Sequence, residues 1–405
     1  MKQRVFFLFF LISIVSFTAN AAGDFLGSWN TTFGIMKLES AGENQLKGAY
    51  ILSQQSCQLD GHLENNGQKF VFTYREPQAS GKGYFKLSED GQSFSGFWRE
   101  KGHSDWHPWK GERFATKEMN FDGVWKTDYG AMRLIQKDNQ IDGVYDPSMN
   151  STIHGTLENN RFNFTYKEPN AEGEGWFQLN EAGNGFKGKW RAKCNTEWTD
   201  WQGSRVLPMP GIKWLVIVEA RWETALEQHE FSFGDMLKSF FARISNVQVR
   251  HRYFTGEKSF TKWVQQIAYL PEPVVLSVAS HGSVDGITVG DETISGEKIS
   301  QALSYAVNLE LLHFSACLMM KESVPKVIHE HMSQNVQFPI SGYTTAVDWS
   351  MSAIIEFLYF DMILSRGMTP KVAANNLLKV IPLAGNTAFE NAPFEAAGFV
   401  LLEPK

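Results

Sequence analysis

Two short apolar runs in the last third of the chain each end on a side chain able to do chemistry. Pro273-Val274-Val275-Leu276-Ser277-Val278-Ala279 leads into Ser280-His281-Gly282, and Leu309-Glu310-Leu311-Leu312-His313-Phe314 leads into Ser315-Ala316-Cys317. A thiol is mostly protonated at neutral pH, and a nearby imidazole lets it react as thiolate. The chemistry suggested is therefore attack by the Cys317 thiolate with His281 as base. Alone, each residue has a plainer reading: a histidine capping a strand end, and a buried apolar thiol. Together, at matched strand ends with Gly282 after one and Ala316 before the other, they favour a dyad.

Such a pair needs elements that bring residues 36 positions apart into reach. Val- and Leu-rich runs of this length read as central strands of a parallel sheet covered on both faces. Parallel neighbours deliver their C-terminal ends to one sheet edge, where open α/β folds place their sites. The surrounding pattern agrees. Ile212–Ala220 reads as a strand, Trp222–Ile244 as an amphipathic helix, Val247–Phe254 as a strand and Glu257–Leu270 as a helix. Asp285–Asp291 reads as a hairpin, Gly296–Val307 and Val324–Met332 as helices, and Phe338–Tyr343 as a strand. Helices over about Ser350–Ser365 and Thr369–Val380 and an edge strand at Gly398–Leu402 complete a mostly parallel sheet with helices on both faces.

The preceding stretch is one unit written twice. Gly27-Ser28-Trp29 returns as Gly123-Val124-Trp125, Gly61-His62-Leu63-Glu64-Asn65-Asn66 as Gly155-Thr156-Leu157-Glu158-Asn159-Asn160, and Phe72-Thr73-Tyr74-Arg75-Glu76-Pro77 as Phe164-Thr165-Tyr166-Lys167-Glu168-Pro169. The register persists through Trp98 and Trp190, Trp106 and Trp198, and Trp109 and Trp201, which marks a duplication. Short alternating runs between Asn-Gly, Asp-Gly and Gly-rich turns predict two tandem antiparallel β-modules, each a small barrel or sandwich. The Gly-x-Trp opening resembles lipocalin-like and avidin-like barrels. The tryptophans are expected mainly in the cores, with a platform for sugars or other flat ligands as the alternative.

The whole is a multidomain chain: residues 1–21 a leader, 22–116 and 117–206 the two β-modules, and 207–405 the α/β domain. The leader has a basic Met1-Lys2-Gln3-Arg4, an apolar Val5–Phe17 too short to span a bilayer, and an Ala19-Asn20-Ala21 end. That is the form of a secretory signal peptide, with cleavage expected after Ala21 and an uncleaved anchor as the alternative. Its loss removes Lys2 and Arg4 and takes the formal charge from −6 to −8, which gives no electrostatic footprint for nucleic acid. An exported, periplasmic or secreted protein without a later membrane span is expected. Of the three cysteines, Cys57 could bond Cys194 and leave Cys317 unpaired.

The α/β portion resembles the caspase-like cysteine peptidases, a superfamily including caspases, metacaspases, clostripain, gingipains, separase and the CHAT proteases. The likeness covers about residues 212–402 and is carried by a strand into His281-Gly282, a hairpin, a helix, and a strand into Ala316-Cys317. The CHAT branch is nearest, through Ile294-Ser295-Gly296-Glu297, Ser341-Gly342-Tyr343, Val347-Asp348 and Glu356-Phe357-Leu358-Tyr359. The resemblance implies His281 as general base, Cys317 as nucleophile, and backbone N–H groups of Gly282 and Cys317 as oxyanion hole. It implies a polypeptide substrate and no cofactor.

Asp285 could orient the imidazole or simply form a hairpin turn. Asp348 could sit beneath a basic P1 side chain, as acidic residues do in arginine-cleaving relatives, or cap the helix near Ser350. Arg221 could equally favour an acidic P1. One departure stands out: the family follows its nucleophile with small residues, whereas here Leu318-Met319-Met320 follows Cys317. These side chains could line a substrate pocket or block one in a degenerate site. The alternative function is thus a non-catalytic protein binding a protein or glycan ligand through its β-modules. HExxH, Walker, GxGxxG and Gly-x-Ser-x-Gly motifs do not occur, and no metal site is expected.

Overall fold

The computed structural model describes residues 25–52, 55–113, 120–146, 151–181, 183–209, 211–223, 226–244, 246–387 and 395–404. The expected leader lies outside the described residues.

Period-two alternation closes each β-module into an eight-stranded antiparallel barrel. The first contains β1 (Gly27–Thr31), β2 (Gly34–Gly42), β3 (Gln45–Leu52), β4 (Gln55–Glu64), β5 (Lys69–Arg75), β6 (Ser80–Leu87), β7 (Ser93–Glu100) and β8 (His107–Arg113). Neighbours in sequence pair in space, and β1 closes on β8. The second repeats this with β9 (Gly123–Thr127), β10 (Gly130–Lys137), β11 (Gln140–Tyr145), β12 (Ser151–Glu158), β13 (Arg161–Lys167), β14 (Glu172–Leu179), β15 (Gly185–Ala192) and β16 (Thr199–Val206). In β5, Phe70, Phe72 and Tyr74 turn inward while Thr73 and Arg75 face out; Phe162, Phe164 and Tyr166 of β13 do the same. Closure leaves neither barrel an open sheet edge.

The copies agree in detail. The Trp29 and Trp125 indoles each donate to the carbonyl four residues back, of Phe25 and Phe121, both at 2.9 Å. Arg113 and Arg205 lie over those rings at 4.4 and 4.3 Å. Of the repeated tryptophans, Trp29, Trp109, Trp125 and Trp201 are core residues, whereas Trp106 and Trp198 are about two-fifths exposed. The expectation of buried tryptophans thus holds for one set and fails for the other. No disulfide forms among the described residues: Cys57 is buried in the first barrel and Cys194 is exposed on the second.

Beyond the barrels the chain alternates strand and helix. Its elements are β17 (Lys213–Ala220), α1 (Phe233–Phe241), β18 (Val247–Phe254), α2 (Glu257–Gln265), β19 (Val274–Ala279), β20 (His281–Ser283), β21 (Gly286–Val289), β22 (Glu292–Ile294) and α3 (Gly296–Ala302). There follow β23 (Leu309–Ser315), α4 (Val324–His331), β24 (Ile340–Tyr343), α5 (Trp349–Leu364), α6 (Pro370–Val380) and β25 (Phe399–Leu402). A six-stranded sheet runs β18-β17-β19-β23-β24-β25, parallel throughout except for β25, with β20-β21-β22 as a small separate sheet. All six residues of β19 are buried, and two apolar clusters cover the opposite faces. Each buried Val or Leu there contributes roughly 1.5–3 kcal/mol.

Three helices are shorter than their sequence pattern; that expected over Glu257–Leu270 is α-helical only to Gln265 and finishes as a 3-10 turn over Gln266–Tyr269. The helix expected over Trp222–Ile244 forms only as α1, because the residues before it wrap around a buried carboxylate. Glu219 accepts from Trp222 Nε1 (2.8 Å), Ser232 Oγ (2.8 Å) and the Phe233 and Gly234 amides (2.7 and 3.1 Å). Those bonds fix a loop, and Ser232 then caps α1 through the Asp235 amide. The helix expected to reach Val307 ends at Ala302, where tightened turns carry the chain into β23.

The second barrel docks at the sheet's N-terminal rim. Arg133 of β10 is 5% exposed and donates to the Ala268 and Leu270 carbonyls at 2.7 and 3.1 Å, just before β19. Ile135 packs against the α/β core. The first barrel meets the same rim, where Lys37, Lys47 and Asp60 share a cavity of about 350 Å³ with Met209 and with Gln248 near the start of β18.

Candidate active site

The parallel register Ala279↔Ser315 aligns the ends of β19 and β23, so His281 and Cys317 emerge at the same C-terminal edge. Gly282 shows how close the two strand ends are. A Cβ there would fall 2.4 Å from the Cys317 carbonyl oxygen and 3.0 Å from Ala316 Cβ and Met319 Cγ. A side chain at position 282 would therefore collide with the backbone that carries the thiol. His281 is exposed and Cys317 half-buried, so both remain open to solvent.

Among the described residues no hydrogen bond joins the imidazole to the thiol. Cys317 Sγ is directed to the Val347 carbonyl at 3.8 Å. The His281 ring meets Trp222 edge-on, centroids 5.0 Å apart, and Trp222 meets Trp349 at 5.3 Å. Val347 and Trp349 flank Asp348, so contacts run from thiol to imidazole around the mouth of the site.

Trp222 is held from below. Glu219, fully buried, accepts its indole N–H and lies 2.7 Å from His251 Nε2. Burial pushes the Glu219 carboxyl up, but the interactions from His251, Trp222, Ser232 and the Phe233 amide outweigh it and hold the group below its ordinary value. Sequence reading passed over Glu219; a lone carboxylate in Leu215-Val216-Ile217-Val218-Glu219-Ala220 was the available signal.

A second buried carboxylate lies behind Cys317. Glu356 of α5 accepts from Ser315 Oγ at 2.7 Å and Tyr343 Oη at 3.1 Å, and lies 3.2 Å from His313 Nε2. His313 Nδ1 pairs with Ser341 Oγ at 2.8 Å. The Tyr343 hydroxyl is pushed well up, first by burial and then by Glu356. His313 is thus a core residue that ties β23 to β24 and α5.

The remaining candidates each make a structural contact. Asp285 is exposed in the β20–β21 turn, its amide donating to Ser283 Oγ at 3.2 Å. Asp348 caps α5, its Oδ1 accepting from the Met351 amide at 2.9 Å. Arg221 lies over the Tyr253 ring at 3.9 Å. Met319 and Met320 enter the core, so they neither line nor block a groove. Leu318 takes a left-handed φ of 63°, held by its amide on the Thr345 carbonyl and by the Met320 amide on the Tyr343 carbonyl. Such a conformation costs a non-glycine residue roughly 1–2 kcal/mol.

No family model matches the chain, and no curated protein matches it. Among solved structures it is similar to a secreted C11 cysteine protease from Bacteroides thetaiotaomicron, at 12% identity and a TM-score of 0.33 over 47% of this chain and 66% of that one, just under two thirds of its length. It is similar to caspase-1 from Spodoptera frugiperda at 9% identity and a TM-score of 0.33, over 47% of this chain and 88% of that one. A transferrin-binding protein B from Haemophilus parasuis matches at 11% identity and a TM-score of 0.17, over 44% of each chain.

Proposed function

We propose that this chain is an exported caspase-like cysteine endopeptidase whose α/β domain, residues 207–405, carries a Cys317–His281 dyad. The observation behind this reading is the shared strand-end edge, with Gly282 packed on the Cys317 carbonyl and both reactive side chains open to solvent. The left-handed Leu318 next to the thiol adds local strain of the kind that gathers at functional sites. In the reaction, His281 takes the Cys317 proton and the thiolate adds to the peptide carbonyl. The amides of Gly282 and Cys317 stabilise the oxyanion. The C–N bond then breaks as the imidazolium protonates the leaving amine, and water hydrolyses the thioester through the same base. Engagement requires Sγ to turn from the Val347 carbonyl toward the imidazole. Catalytic contacts commonly tighten only with substrate bound.

The present orientation of the thiol toward Val347 also motivates a second reading, a binding protein whose α/β domain is catalytically retired. Iodoacetamide alkylation of Cys317 across pH 5–9 separates the two. A working dyad gives fast alkylation that is slowed in His281→Ala. Slow alkylation indifferent to that substitution supports the retired domain. Cleavage of a peptide library is expected to vanish in Cys317→Ala, and cleavage that persists in that variant removes the assignment.

A further inference from the structure

We propose that the first barrel binds an acidic oligosaccharide on its outer face across β5, β6 and β7, whether or not Cys317 is a nucleophile. The second barrel serves as the internal comparison. There Glu174 of β14 sits directly opposite Arg191 of β15 and accepts from its Nε at 2.8 Å, while Glu172 pairs with Lys193 at 2.6 Å. At the matching positions of the first barrel, Arg99 and Lys101 are kept, but Lys82 replaces Glu174 and Ser80 replaces Glu172.

Lys82 and Arg99 therefore face each other across β6 and β7. Like charges directly opposite in an antiparallel pair destabilise it. Among the described residues no carboxylate forms an ion pair with Arg75, Lys82, Arg99 or Lys101. These four line a cavity of about 660 Å³ together with His103 and Glu100, which lie 3.9 Å from one another. Self-repulsion kept where the sister barrel relieves it points to an anionic ligand standing in for the two missing carboxylates.

The geometry narrows that ligand. Glu172 and Glu174 are two residues apart on one strand face, so the groups they stand for lie about 7 Å apart. Arg99 stacks over Trp106 at 4.9 Å, as Arg191 does over Trp198 at 4.6 Å. Stacking occupies the guanidinium face and leaves its edge N–H groups for an oxyanion, the edge that Glu174 fills in the second barrel. Trp106 is 42% exposed beside Tyr84, an aromatic surface for the apolar side of a sugar ring. Thr73 and Ser80 add hydroxyls to the lining. Two anionic groups on a sugar scaffold match this surface better than a free ion.

The test is isothermal titration of the full chain with a heparin-derived hexasaccharide, and separately with hexaglutamate. Hexasaccharide binding that weakens with added salt, and about tenfold or more in Lys82→Glu, is expected. Lys82→Glu rebuilds the second barrel's pair, so its melting temperature should hold or rise, which separates lost binding from lost fold. The reverse pair of changes, Glu174→Lys with Glu172→Ser, should create a second site. Absent hexasaccharide binding, binding untouched by Lys82→Glu, or tighter binding of hexaglutamate would each overturn the proposal.

Discussion

At the scale of single residues, His281 and Cys317 lie two residues past the ends of β19 and β23, and strand ends are where a sheet presents side chains. Glu219 reads in sequence as one charge in a buried run, yet it organises Trp222, Ser232, His251 and the start of α1. In the peptidase reading Trp222 is a positioning residue for His281, and Trp222→Ala should lower kcat about tenfold with KM little changed. Trp222→Phe keeps an aromatic ring for the imidazole while losing the indole N–H and its second ring, so it should retain more turnover than Trp222→Ala; equal loss in both variants would remove this role. Glu219 also sets a pH dependence. Its folded pKa lies below its unfolded value, so its stabilisation is complete above about pH 4.3 and lost as pH falls through the folded pKa. Glu219→Gln should therefore destabilise the protein by about 1–3 kcal/mol at pH 7 and converge with wild type in acid. Denaturant melts at pH 7 and pH 3 decide this, and a gap that does not narrow at pH 3 would contradict it.

At the scale of elements, period-two alternation and the repeat register were enough to foretell two antiparallel modules, because each strand's burial pattern is its own sequence pattern. Closure into barrels of eight was not readable, since it depends on strand-to-strand pairing. Helix extents failed where a tertiary contact outbid local periodicity, as at Trp222–Ser232. The duplication also hid an asymmetry. Arg133 in β10 matches Lys37 in β2, but Lys37 pairs with Glu39 at 2.9 Å near the surface whereas Arg133 is buried on two α/β carbonyls. Burial lowers its guanidinium pKa to about 10, so it stays charged at neutral pH. Arg133→Ala strands the Ala268 carbonyl, while that of Leu270 keeps the Asn308 side-chain amide at 2.9 Å, and should cost about 1.5–3 kcal/mol of docking. Limited proteolysis should then cut the Val206–Lys213 connection faster, and an unchanged cleavage rate would show that the contact does not hold the barrel.

At the scale of the molecule, the barrels and the candidate site occupy opposite ends of one sheet. Arg133 reaches the residues just before β19, and the first barrel meets Gln248 near the start of β18, whereas His281 and Cys317 lie past the far ends of β19 and β23. A strand of six residues spans about 20 Å, and solvent screens exposed charges over about 8 Å at physiological salt. In this arrangement both barrels contact the end of the sheet opposite the thiol. Saturating the first barrel with the heparin-derived hexasaccharide should then leave the Cys317 alkylation rate within about twofold of its free value, because neither contact nor field links the two ends. The same rate should survive Lys82→Glu, which empties the barrel site. A several-fold change on adding the saccharide, abolished by Lys82→Glu, would instead establish coupling through the sheet and make the barrels regulators of the thiol.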